Sequence, residues 1–168
     1  SQASMTELVN YITGIYHEFL KREMPRIDSL FKVVLERHRD HHSELIESLY
    51  YAFQAARRII ETHMQREERL LFPYMQRLEA YTGEGRRPPF PYDSAEHPIH
   101  QLESEHEYGY MAIEEMRALT SNYRLPDDAC PQFRALYEGL KQVEANILEH
   151  TRLESEILFP KAVEREHL

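Results

Sequence analysis

One short pattern occurs twice in the chain, and it restricts the fold more than any other sequence feature. Both copies have the form His-x3-Glu-x4-Phe-Pro, at residues 63–73 and at residues 150–160. On a helix, side chains four residues apart lie on the same face, one above the other. A histidine and a glutamate placed in this way can bind the same metal ion. The repetition therefore predicts two equivalent helices that face one another across a metal site.

Apolar residues recur at three- and four-residue spacing in four stretches, which predicts four helices. The stretches cover residues 6–40, 43–80, 96–122 and 129–164. Glycines and prolines mark residues 81–95 as a loop and residues 123–128 as a short connection. Pro25 and Pro73 predict a kink or a local helix end. With no alternating strand pattern, the predicted fold is all-α: an antiparallel four-helix bundle with a duplicated helical hairpin, forming a single domain over residues 1–168.

Each copy of the repeated pattern follows an additional histidine on the preceding helix. A helix rises about 1.5 Å per residue, so His17 and His63 lie at similar heights above the turn near residues 40–42. The same reasoning places His106 and His150 at one height. The sequence therefore predicts a metal site formed by six side chains, which are His17, His63, Glu67, His106, His150 and Glu154.

Alternative interpretations exist for each of these residues taken alone. A single His-x3-Glu pair is often a surface ion pair, and a single histidine on an apolar helix face is usually a hydrogen-bonded core residue. The repetition of the pattern and the agreement in height favour a shared metal site over both alternatives.

Six further histidines are predicted to lie outside the site, at turns and helix ends: His38, His41, His42, His97, His100 and His167. A continuous first helix separates His38 from His17 by about 31 Å. His38 reaches the site only if the chain breaks and reverses at Pro25. It is therefore predicted, with its neighbours, to lie on the surface.

Five residues close to the pattern have two open interpretations each. Phe72 and Phe159 are either packing residues at helix ends or walls of the metal site. Tyr16 and Tyr110, next to or near predicted ligands, are expected to pack rather than to act as redox groups. Glu105 belongs to an acidic stretch and lies either on a solvated face or along an access route.

The predicted ligand set indicates which metal is bound. The chain has 10 His and 29 Asp and Glu but a single Cys, Cys130. Four imidazoles and two bridging carboxylates suit iron or manganese better than a closed zinc site. We expect two iron ions joined by an oxo or hydroxo bridge, with manganese as the alternative. An open position on iron can accept a small diatomic molecule or peroxide.

Charge and cysteine content exclude several classes of partner and location. A formal net charge of −9 disfavours nucleic acid and anionic membrane surfaces, both of which require a basic face. One cysteine excludes an internal disulfide and is typical of a reducing compartment. The chain has no apolar run long enough to span a membrane, and residues 1–5 lack the features of a signal peptide. These observations predict a cytoplasmic protein.

The motifs resemble those of a hemerythrin-type HHE domain, and most closely the di-iron domain of the RIC (repair of iron centres) family. The resemblance rests on both repeated segments, on His17 and His106, and on local strings such as Leu102-Glu-Ser-Glu-His106 and Ala129-Cys130. It implies a non-haem di-iron protein of nitrosative and oxidative stress that repairs damaged iron–sulfur clusters, by donating iron or by reacting with nitric oxide. Apo or damaged iron–sulfur proteins would then be partners.

Two departures from these families affect the expected function. RIC proteins usually carry a short N-terminal domain with a cysteine motif, which this sequence does not contain. Oxygen-carrying hemerythrins have a second histidine on the third helix, where Leu102 and Tyr110 stand here. This difference argues against simple reversible oxygen carriage.

Three other functions therefore remain open: an O2 or NO sensor or carrier without turnover, a peroxide-consuming di-iron enzyme, and a metal-free helical interaction module.

Overall fold

The computed structural model describes residues 3–168, which form four long helices and no strand. The first helix comprises Met5–Tyr11, Ile12–His17 and Glu18–Arg37; the second comprises Ser43–Arg66, Glu67–Leu71 and Phe72–Ala80; the third is Glu96–Leu119; the fourth comprises Pro131–Leu153, Glu154–Leu158 and Phe159–Glu166. The all-α prediction is confirmed. Ser1 and Gln2, which belong to the segment used in the signal-peptide argument, lie outside the described residues.

The helix boundaries differ from the predicted ones mainly at two turns. The first helix passes through Pro25 without a break and ends at Arg37, so the chain does not reverse there. The third helix ends at Leu119 because residues 121–123 adopt left-handed backbone angles, with φ of 53° at Ser121 and 61° at Tyr123. Such angles cost a non-glycine residue about 1–2 kcal/mol, and they stop the helix.

Two apolar clusters fill the bundle, one on each side of a polar layer. The larger contains Leu20, Phe31, Phe53 and Leu140 together with other residues of all four helices. The smaller contains residues from the opposite ends of the helices, among them Ile12 and Leu158. Close packing on both sides leaves the side chains of the layer little freedom to move.

The helices have no membrane-spanning character. Within residues 3–168, no helix combines the length and the apolar composition that crossing a lipid bilayer requires.

Candidate metal centre

The six predicted side chains meet in the polar layer between the two apolar clusters, which we call the His/Glu layer. His17, Glu67 and Glu154 are fully buried, and the other three side chains are at most 5% exposed. Two sets of donor atoms lie close enough for metal binding: one from His63, Glu67, His106 and Glu154, the other from His17, His150 and Glu154. Within each set the atoms lie within 4.8 Å of one another.

The two glutamates lie between the two sets of histidines. One oxygen of Glu67 lies 3.2 Å from His17 Nε2, and the other lies 3.2 Å from His63 Nε2. Glu154 Oε1 lies 2.9 Å from His106 Nε2 and also belongs to the set that contains His150. Each carboxylate is therefore placed to bridge two neighbouring cations.

Several nitrogen and oxygen atoms of the layer that could bind a metal make no hydrogen bond within residues 3–168. These buried atoms are His17 Nε2, both carboxylate oxygens of Glu67 and Glu154 Oε2. In addition, His63 Nε2 and His106 Nε2 lie only 3.3 Å apart. Buried polar atoms without partners are costly and rare. Cations would satisfy these lone pairs, so the residues present fit a metal centre.

The repeated Glu-x4-Phe-Pro pattern has the same local structural consequence in both copies. The Phe72 N–H donates to the Glu67 carbonyl and the Phe159 N–H donates to the Glu154 carbonyl, each five residues back, which forms a wide π-helical turn. The proline that follows has no N–H and would clash with the carbonyl four residues back in a regular α-helix. The wide turn begins at the glutamate, and such turns are frequent at functional sites. A third π segment, Ile12–His17, ends at a histidine of the layer.

Each histidine is oriented by a hydrogen bond at Nδ1, and each has a different partner. The partners are Glu68 for His17 (2.6 Å), Glu105 for His63 (3.1 Å), Ser155 for His106 (3.1 Å) and the side chain of Asn146 for His150 (2.9 Å). All four partners can accept a hydrogen bond, so a proton donated from each Nδ1 would leave the Nε2 lone pair available to a cation in the layer. Lys21 donates to Glu68, and Arg66 donates to Glu105. Such partners fix the ring and raise its basicity as a ligand.

Burial and carboxylate charge act in opposite directions on the histidine pKa values. Burial lowers the pKa of His63, but the Glu67 charge and the hydrogen bonds to glutamates outweigh it and raise that pKa to about 12. Burial lowers the pKa of His150 to about 4, since the charge of Glu154 compensates only in part. Without metal, His63 thus retains a proton that a bound cation would replace.

The pKa values of the two glutamates shift in opposite directions although their positions in the repeat are equivalent. Burial, and then repulsion from Glu154, raise the pKa of Glu67. Burial also acts to raise the pKa of Glu154, but hydrogen bonds from His106 and His63 hold it well below its usual value. Two carboxylates this close cannot both carry a full charge without cations.

Two phenylalanine rings pack against histidines of the layer, so they form walls of the site, which is one of the two interpretations predicted for them. Phe72 stacks on His17 with 5.9 Å between ring centroids, and Phe159 stacks on His106 at 6.1 Å. Tyr110 hydrogen-bonds to Thr151 through its hydroxyl, as expected for a packing residue.

The histidines predicted to lie elsewhere are indeed separate from the layer. His97, His100 and His167 are exposed, as predicted. His38 is not on the surface: it is only 7% exposed, and its Nε2 accepts a hydrogen bond from the Cys130 N–H. His38 lies outside the layer as predicted, but its predicted surface position was wrong because the start of the fourth helix covers the turn between the first two helices.

Comparison with known proteins gives a family and several relatives of this chain. The family model of the hemerythrin HHE cation binding domain matches residues 16–162. The iron-sulfur cluster repair protein YtfE of Musicola paradisiaca is 30% identical over 164 residues, which cover 98% of this chain and 68% of that protein. The YtfE proteins of Yersinia pseudotuberculosis and Edwardsiella ictaluri are 30% identical over 165 and 162 residues, covering 69% and 67% of their lengths.

Proposed function

The chain belongs to the hemerythrin HHE cation-binding domain family, and on that basis we propose that it is a di-iron protein that repairs damaged iron–sulfur clusters. The single observation that carries the proposal is the His/Glu layer, in which His17 Nε2 and buried carboxylate oxygens of Glu67 and Glu154 make no hydrogen bond to any described residue. The names of its relatives support the cellular role.

The geometry supports one assignment of the ligands. His63 and His106 would hold one iron ion, His17 and His150 would hold the other, and Glu67 and Glu154 would provide carboxylate oxygens to both. When bound, the pair of ions supplies iron for transfer and redox chemistry toward nitric oxide or peroxide. The protein's own contribution is to orient the four imidazoles through their Nδ1 partners and to keep the layer dry between two apolar clusters.

Three further properties belong to the same proposal. The four helices run antiparallel as two repeated hairpins, residues 1–168 form a single domain, and the protein acts in the cytoplasm. Its partners are apo or damaged iron–sulfur proteins. The single cysteine and the acidic charge support this setting.

Iron reconstitution followed by transfer tests the proposal directly. The chain, loaded with ferrous iron without oxygen, should bind about two ions, as expected for a bundle with two bridging carboxylates. Incubation with an iron–sulfur protein whose reduced cluster has lost one iron, and is [3Fe–4S], should then restore its [4Fe–4S] cluster, measured by its visible absorption. Ferrous iron alone completes that cluster, so no sulfide or oxidant is needed. Fewer than one iron ion bound by each chain, or no [4Fe–4S] cluster restored by a loaded chain, contradicts the proposal.

A gas-binding role is the second candidate, and the small cavity beside His106 favours it. In that case the loaded chain binds nitric oxide or O2 reversibly and gives no iron to an iron–sulfur protein. The same transfer experiment separates the two functions.

A further inference from the structure

A small cavity adjoins the His/Glu layer on one side and is partly open to the surface. It has a volume of about 20 Å³ and is lined by three histidines of the layer, His63, His106 and His150. Its other walls include the apolar side chains Ile59, Ile60 and Ile147. A space of this size holds one molecule about as large as water. It is therefore a potential site for one very small ligand.

Gly109 lines the cavity and places no side chain in it. Gly109 is buried on the inward face of the third helix, three residues after His106 and four before Ile113. A Cβ atom built on Gly109 would have no neighbour within 4 Å. Glycine destabilises a helix interior relative to alanine. Local stability alone therefore favours a side chain here, and glycine leaves open a space that a side chain would fill.

Glu105 is shared between this cavity and an outer groove. Its side chain lines both the cavity and an outer groove of about 450 Å³, which is also lined by Arg58, Arg66 and Tyr108. The Glu105 carboxylate is 16% exposed and is held between His63 Nδ1 and the Arg66 guanidinium. Ile59 and Glu105 line both spaces, so the groove and the cavity adjoin at these two residues.

We propose that Gly109 sets the size limit for ligands of the metal centre, and that the ligand is one uncharged diatomic molecule that enters past Glu105. The isoleucine walls offer no hydrogen bonds, and the buried carboxylate repels anions, so a neutral ligand is favoured. The inference rests on the proposed di-iron centre and adds to it the residue that selects the ligand.

A graded series at residue 109 tests the proposal with nitric oxide as the probe. Gly109→Ala and Gly109→Val are loaded with ferrous iron, and nitric oxide association is followed by stopped-flow absorption. The matched control is Gly14→Ala, an exposed helical glycine whose added Cβ also has open space. We expect Gly109→Val to slow association by about ten-fold or more, since its side chain overfills the cavity. The association rate of Gly109→Ala should lie between those of Gly109→Val and the unchanged chain, and the rate of Gly14→Ala should match that of the unchanged chain.

A second measurement on the metal-free chain keeps the test valid if the valine variant does not fold. If the space at residue 109 is real, Gly109→Ala should unfold at the same or a higher temperature than the unchanged chain, as helix propensity predicts. A lower unfolding temperature than that of Gly14→Ala overturns the proposal.

Iron content separates this inference from the proposed function. If the unchanged chain binds no iron, the proposed function fails. If all variants bind iron and associate with nitric oxide equally fast, the centre stands and only the role of Gly109 is refuted.

Discussion

The two halves of the molecule repeat the same ligand pattern but support it differently. We call residues 5–80 the first hairpin and residues 96–166 the second hairpin. In the first, the residue after Glu67 is Glu68, which hydrogen-bonds to His17 and is paired with Lys21. In the second, the corresponding residue is Ser155, which hydrogen-bonds to His106. The glutamate of the layer and its wide turn are thus duplicated, whereas the charge of the supporting residue is not.

His63 and His150 have partners that make the two proposed metal positions alike. His63 receives its carboxylate partner, Glu105, from the opposite hairpin, whereas His150 uses Asn146 of its own helix. Each proposed iron position therefore combines one imidazole held by a carboxylate with one held by a neutral group. The hairpins differ, but the two positions they build are alike in donor character.

The largest expected effect comes from the duplicated glutamates. Their substitution should weaken iron binding but stabilise the metal-free fold. Glu67→Gln should lower iron affinity by more than about 100-fold, because it removes a bridging carboxylate rather than an outer partner. Without metal, the same change removes a buried carboxylate whose oxygens make no hydrogen bond within residues 3–168 and whose charge burial disfavours, and it should stabilise the fold by about 1–3 kcal/mol.

Glu154→Gln tests whether the two hairpins contribute equally. Its iron affinity should fall as far as that of Glu67→Gln, while His38→Ala, at the first turn, should bind iron normally. Iron titration and thermal unfolding of the metal-free chains give both quantities. Iron loss from His38→Ala equal to that of Glu67→Gln would refute the ligand assignment.

The supporting residues should give a smaller effect that differs between the hairpins. Glu68→Ser copies the arrangement of the second hairpin into the first and should weaken iron binding by about ten-fold. Ser155→Ala removes only a neutral partner and should weaken it less. Competition with a chromophoric chelator measures both. Equal losses in the two variants would mean that the charge of the partner does not matter.

The sequence predicted the His/Glu layer well because its signal is local and repeated. The i and i+4 positions of His63 and Glu67 place both side chains on one face in any helix, and a second copy confirmed the pattern. The Nδ1 partners were not predicted, although Glu68 and Ser155 occupy matching places in the repeat. Asn146 and Glu105 depend on how helices pack, which periodicity alone does not determine. The surface position predicted for His38 was wrong for the same reason.

The smallest expected effect concerns the ends of the two hairpins, where the repeat continues beyond the metal centre. Glu79, the penultimate residue of the second helix, accepts hydrogen bonds from the Met5 N–H (2.7 Å) and Thr6 N–H (3.0 Å) at the start of the first helix. Glu166, in the matching place on the fourth helix, accepts one from the Ala95 N–H at the start of the third. Each carboxylate thus caps a helix of its own hairpin.

Glu79→Gln and Glu166→Gln should each lower the free energy of unfolding by about 1 kcal/mol, since a charged cap also complements the helix dipole. Burial acts to raise the pKa of Glu79, but hydrogen bonds from Thr6 and Met5 lower it below the ordinary value of 4.5. A lowered pKa in the folded state stabilises the protein above the unfolded value, and this contribution disappears as the pH falls through the folded value. Denaturant unfolding of Glu79→Gln should therefore approach that of the unchanged chain at low pH. A stability difference that stays constant down to acid pH would show that the charge of Glu79 contributes nothing.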